Sequence, residues 1–136
     1  SKMKEKNKLN DIFKNIEEII EFEIDFHLCS MHKKSKIQNS NLKEEYTRIQ
    51  EVLEGEKEVE AVKKIMKEVS VDMFYRMFEL FDGYRDKDIK IELIDYKTNK
   101  KLKKTKEFHD LFMTFIADKE DKPTSEKPLT SRNMKK

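Results

Sequence analysis

Val69-Ser70-Val71-Asp72-Met73-Phe74-Tyr75-Arg76-Met77-Phe78-Glu79-Leu80-Phe81-Asp82-Gly83-Tyr84 is the stretch on which the fold turns. Up to Phe81 its apolar side chains recur at three- and four-residue steps, the period of a helix. Met73 to Phe78 is apolar nearly all round, which predicts that this is the most buried helical segment of the fold. Asp82-Gly83 then supplies a structural stop, because glycine reaches φ > 0 without the steric penalty that other residues meet. Beyond it the period changes. Ile89, Ile91 and Leu93 alternate with Lys90, Glu92 and Ile94, the pattern of a strand with one apolar face. Thr98-Asn99-Lys100 offers a turn and Lys101-Leu102-Lys103 a short return strand. Two strands alone are marginal, so this hairpin must pack on helices. Phe108, Leu111, Phe112, Phe115 and Ile116 mark a closing helix over about residues 106–117, with Thr105 as its candidate cap.

Upstream, Val59, Val62, Ile65, Val69, Met73, Met77 and Leu80 keep helical spacing, so the helix ending at Phe81 starts near Glu56. A shorter helix precedes it, with Leu42, Tyr46, Ile49, Val52 and Leu53 as its apolar face, Ser40 or Asn41 as cap and Gly55 as terminator. Asn41 with Glu44 approximates a capping box. In the first segment Leu9, Phe13, Ile16, Ile20, Ile24, Leu28 and Met31 recur with helical period, and Asn10 is a candidate N-cap. Ile20, Phe22, Ile24, Phe26 and Leu28 also alternate as a half-buried strand would. The helical pattern is the longer and contains no break residue, but both readings of residues 20–28 remain open. As a helix, Phe22 and Phe26 would widen the apolar face and imply burial on two sides.

The chain has 136 residues, 36% hydrophobic and 43% charged. Its apolar residues fall in periodic stripes, which argues for a folded core despite the high charge. The pattern predicts one compact domain over 7–117. After Ala117 the composition turns to Lys, Glu, Asp, Ser, Thr and both prolines, predicting a flexible charged tail over 118–136. The net charge of +2 calls for no polyanion partner overall, but the charge is uneven. Residues 40–83 carry seven basic and 11 acidic groups, and residues 84–106 nine and four. Cys29 is the only cysteine, so neither an internal disulfide nor a cysteine metal cluster can form. The apolar runs fall far short of the ~20 residues that span a bilayer. The charged start, Ser1-Lys2-Met3-Lys4, shows no secretory signal. These features predict a cytoplasmic protein with no membrane contact.

Candidate chemistry is sparse. Two glycines, Gly55 and Gly83, cannot write a phosphate loop or a dinucleotide fingerprint. His27 and His32, five apart on a helix, point about 140° apart and do not converge on a metal. Asp25 and Glu21, at i and i+4, have no histidine partner at matching spacing. His109-Asp110 are sequence neighbours, which on a helix face apart. No catalytic, metal or cofactor residues are therefore assigned, and a non-enzymatic role is expected. The one concentrated charge is Lys97, Lys100, Lys101, Lys103, Lys104 and Lys106, a candidate interaction patch. It can grip phosphates, but it lacks arginine forks and aromatic interleaving. Lysines at a hairpin edge also guard against strand pairing. Replacement of Lys101, Lys103 and Lys104 by glutamate is expected to leave the fold intact.

The segment from Val71 to Ile116, about a third of the chain, resembles a group of small bacterial proteins of unassigned function. The likeness rests on Phe81-Asp82-Gly83-Tyr84, on Ile91-Glu92-Leu93-Ile94-Asp95 with Thr98-Asn99, and on Phe108-His109-Asp110-Leu111-Phe112-Met113. Some of these look-alikes suggest immunity-type or other toxin-locus proteins. The resemblance implies a structural role for these motifs and transfers no active residue. The reading is thus a predominantly helical α+β domain with three N-terminal helices, a small antiparallel β-hairpin and a closing helix. Its expected role is a protein-binding module, possible homodimerisation included, with nucleic-acid contact through residues 97–106 as the alternative.

Overall fold

The computed structural model describes residues 2–38, 40–102 and 104–120, with side chains from Lys8 onward. Four helices and one hairpin follow in chain order: α1 (Lys2–Met31), α2 (Lys43–Val52), α3 (Glu56–Phe81), β1 (Ile94–Asp95), β2 (Lys100–Lys101) and α4 (Phe108–Glu120). The fold is α+β and predominantly helical. Residues 20–28 lie within α1, so the longer helical period prevails over the local alternation.

The core is made by α1, α3 and α4. Leu9, Phe13, Ile16, Ile20, Ile24 and Leu28 form one buried stripe of α1. They meet Val71 and Phe78 of α3 and Phe108, Phe112 and Ile116 of α4. Phe13 is the hub, with ring centroids 5.6 Å from Phe78, 5.5 Å from Phe112 and 5.8 Å from Phe115. Edge and tilted contacts of this kind add to area burial. Ion pairs line the seams. Lys67 bonds Glu21 at 2.7 Å and Lys63 meets Asp25 at 3.1 Å, which sets α3 antiparallel to α1. Lys119 reaches Glu17 at 2.8 Å and ties α4 to α1. Glu21 and Asp25 thus serve these seams.

Among the described helices and strands, α2 packs on α1 alone. Tyr46 is its one buried residue, and its hydroxyl lies 2.6 Å from Nδ1 of His27. Gln50 donates to the carbonyls of Ser30 (2.6 Å) and Ser35 (3.1 Å).

Several local expectations are corrected. α1 begins at Lys2, so Asn10 is interior to it. The N-cap position of α2 is Leu42, with no side-chain cap; the Ser40 hydroxyl accepts from the Leu42 N–H at 3.0 Å instead. Gly55 does not close α2 but opens α3 at φ 83°. Met73 and Phe22, expected inside, are 67% and 66% exposed. Three helices share one small core, and each can turn only one stripe toward it, so apolar residues on the flanks stay outside. The expected strand over 89–94 shrinks to Ile94–Asp95. Ile91 N–H bonds the Phe81 carbonyl at 2.8 Å and Ile89 N–H that of Asp86 at 3.0 Å. That backbone is satisfied by the end of α3 and its turn, which leaves less for a ladder. β2 is Lys100–Lys101, paired antiparallel with Ile94↔Lys101 and Asp95↔Lys100. Helix α4 starts later and ends later than the pattern suggested, and Thr105 does not cap it. Lys103 and residues 121–136, most of the expected tail, lie outside the described residues. Among the described residues, no helix is long and apolar enough to cross a membrane.

Candidate functional site

The densest polar cluster is built where α3 ends. Gly83 N–H bonds the Leu80 carbonyl at 3.1 Å and Tyr84 N–H that of Glu79 at 3.0 Å, the two bonds of a Schellman stop. Gly83 sits at φ 83°, and a Cβ there would approach the Ile89 carbonyl oxygen to 3.2 Å. The stop turns the Asp82 side chain inward, where it is fully buried. Oδ1 accepts from Phe108 N–H at 3.1 Å and from Lys104 Nζ at 3.3 Å. Oδ2 accepts from His109 N–H at 3.0 Å and lies 2.7 Å from His109 Nδ1. An ionised carboxylate only accepts, so Nδ1 carries the proton. Asp82 therefore caps α4 from 26 residues away, filling the role usually held by a residue beside the helix start.

The electrostatics agree. Burial works to raise the Asp82 pKa, but the backbone and ring N–H groups of His109, the Phe108 N–H and the Lys104 ammonium outweigh it and hold the carboxyl below its usual range. Around this centre the Tyr84 ring stands 4.7 Å from the His109 ring and the Tyr75 ring 5.5 Å from it. Lys104 Nζ also lies 4.0 Å over the Phe108 ring. Tyr84 donates its hydroxyl to Glu107 at 2.6 Å, and that bond first, then desolvation, pushes its pKa up to about 12.

Asp82, Glu107 and His109 offer one ligand atom each within 4.8 Å of one another. A divalent cation there would have to displace the Lys104 ammonium and break the cap of α4, because four N–H donors already use the Asp82 oxygens. The donor set suits a cap and opposes a metal. Asp82 also orients His109 as a carboxylate orients a general base. Nε2, however, is turned to Asp110 Oδ1 at 3.5 Å on a side chain only 6% exposed, so substrate has little access to it. The expectation that His109 and Asp110 face apart is thus corrected, although the buried partner of His109 is Asp82. Cavities also lie away from this cluster. One of about 460 Å³ is lined by residues that include His32, Lys33, Glu54 and Gly55, and one of about 340 Å³ lies on α2. Cys29 is exposed.

The lysine patch is divided. Lys97, Lys100, Lys101 and Lys106 are exposed and have no ion pair among the described residues. Lys104 belongs to the Asp82 cluster, so its replacement by glutamate would set a second carboxylate against a buried one. This corrects the expected tolerance of that change. Lys103 lies outside the described residues. Apolar exposure is the other surface signal: Ile65, Val69 and Met73, at i, i+4 and i+8, leave one flank of α3 uncovered, and Ile19 and Phe22 do the same on α1.

Sequence spacing missed the Asp82–His109 pair because 27 residues separate them. The available clue was that Lys106 and Glu107, just before Phe108, are poor caps. No family model, curated protein or solved structure matches the chain.

Proposed function

We propose that this chain is a non-enzymatic protein-binding module that presents the Ile65–Val69–Met73 flank of α3 to a partner, in the manner of inhibitor- or immunity-type proteins. The single observation behind it is that flank: three large apolar side chains on successive turns, each more than half exposed. With 43% charged residues the chain has ample polar side chains to cover such a surface, and an uncovered apolar stripe marks a contact site. The resemblance noted for residues 71–116 points the same way. The densest polar cluster, by contrast, is consumed in joining α3 to α4, which occupies its own carboxylate and imidazole N–H in structural bonds.

The test is paired capture from the native host with the intact protein and with Val69→Lys/Met73→Lys. Support is a partner retained by the former and released by the latter, with the helical circular dichroism unchanged. A dimer lost in the same variant would make the partner a second copy. No difference between the two proteins, at unchanged circular dichroism, removes the reading. Nucleic-acid contact is the second reading, favoured by the four unpaired lysines. It requires salt-sensitive binding of DNA or RNA that disappears in Lys97→Glu/Lys101→Glu.

A further inference from the structure

We infer that the outer face of the β1–β2 hairpin is a second contact surface, built to hold an acidic segment of a protein partner that carries an apolar or aromatic side chain. The inference rests on the reading of the chain as a protein-binding module and adds a separate surface with its own chemistry.

The register decides which side chains point outward. Side chains alternate across a sheet, and Ile94 stands opposite Lys101 while Asp95 stands opposite Lys100. The inner side is fixed by Leu102, which is buried, by Leu93, which packs on the core, and by Asp95, which pairs with Lys8 of α1. Ile94 and Lys101 therefore face out. Tyr96, in the turn, is 96% exposed with exposed Lys97 beside it, whereas Lys100, opposite Asp95, shares the side of Leu102.

Charge on this face is uncompensated. Lys97 and Lys101 have no carboxylate partner among the described residues, unlike Lys63 with Asp25, Lys67 with Glu21, Lys104 with Asp82 and Lys119 with Glu17. The carboxylate at the hairpin tip is already taken. Asp95 pairs with Lys8 and accepts from the N–H groups of Lys97 at 2.8 Å and Thr98 at 3.4 Å. Glu92, half-buried, is the remaining acid of the strand segment. Protection of the sheet edge explains Lys100 and Lys101. It does not explain Ile94 and Tyr96, whose exposure invites association. An apolar centre with a charged rim is the anatomy of an interface, and the cationic rim selects an anionic partner. A protein segment fits better than a nucleic acid, because the face has one aromatic ring and no arginine fork.

The test uses the full chain and a fluorescein-labelled peptide, Asp-Glu-Phe-Glu-Asp-Leu-Glu, read by anisotropy. A peptide with lysine at each acidic position and single-stranded oligothymidylate are the comparison probes. The acidic peptide is expected to bind saturably, to weaken about tenfold in Lys97→Glu/Lys101→Glu and several-fold in Tyr96→Ala, and to be unaffected by Val69→Lys/Met73→Lys. All of these positions are exposed, and unchanged circular dichroism verifies the fold; Lys97→Gln/Lys101→Gln gives a milder second variant. Four results overturn the inference: no binding of the acidic peptide, tighter binding of the oligonucleotide, equal binding by Tyr96→Ala, or self-association of the chain that the hairpin variants abolish. If the α3 variant loses peptide binding, the contact lies on the α3 flank and only that first reading survives.

Discussion

Replacing Asp82 by alanine tests whether one carboxylate joins the last two helices. The structure assigns it four donors: two backbone N–H groups at the start of α4, the His109 ring and the Lys104 ammonium. Loss of a helix cap costs about 1 kcal/mol, within a range of roughly 0.5–2. A buried imidazole N–H left without an acceptor adds about 1–3 kcal/mol. The exchange of a buried ion pair for a lone charge costs about 3–5 kcal/mol in related cases. These effects overlap, so their sum overstates the loss, and about 3–4 kcal/mol is the expected destabilisation. For a domain of this size that lowers Tm by on the order of 10–15 °C. Urea unfolding followed by circular dichroism measures it directly. A double-mutant cycle with His109→Ala should show a coupling energy of at least ~1 kcal/mol. A loss below about 1 kcal/mol, or additive mutations, would refute the cap. The same group sets acid sensitivity. Its folded-state pKa is depressed, so its stabilisation is complete above the ordinary carboxylate range and disappears as pH falls through the depressed value. Asp82→Asn should therefore show a flatter loss of stability in acid than the unaltered protein.

Phe13→Ala removes the ring on which three helices converge and should cost about 3–5 kcal/mol in chemical denaturation, without a compensating collapse. Gly83→Ala, at φ 83° and 3.2 Å from the Ile89 carbonyl, should lose ~1–2 kcal/mol by the left-handed penalty alone; a neutral result would mean the stop of α3 rearranges freely. In Glu107→Gln the Tyr84 phenol should ionise well below the value of about 12 it has beside the carboxylate, seen as an earlier tyrosinate absorbance in an alkaline titration. An unchanged midpoint would place the cause elsewhere.

What was legible in the residues was whatever depends on near neighbours. The stripe from Leu9 to Leu28 buries as its spacing requires, because a helix carries its own period into the core. The change of period after Gly83 correctly separated α3 from the hairpin. Cap assignments failed where a cap came from afar: Thr105 was the local candidate for α4, but the cap is Asp82. Burial failed on the flanks of helices. Met73 and Phe22 look like core in any local window, yet lie outside because the facing helices occupy other directions. The strand over 89–94 was too long for a related reason, since backbone groups read as sheet partners instead bond to the end of α3 and its turn.

The sequence by itself determined the number and order of helices, the position of the glycine stop and the existence of a short lysine-rich hairpin, because each follows from side-chain periodicity or from the torsion of one residue. Only the tertiary structure decided which stripe of α3 is covered, which lysine is structural and which carboxylate closes the chain on itself. Those outcomes depend on groups tens of residues apart meeting in one buried place, where a polar atom must find a partner and the partner is chosen by packing rather than by proximity along the chain.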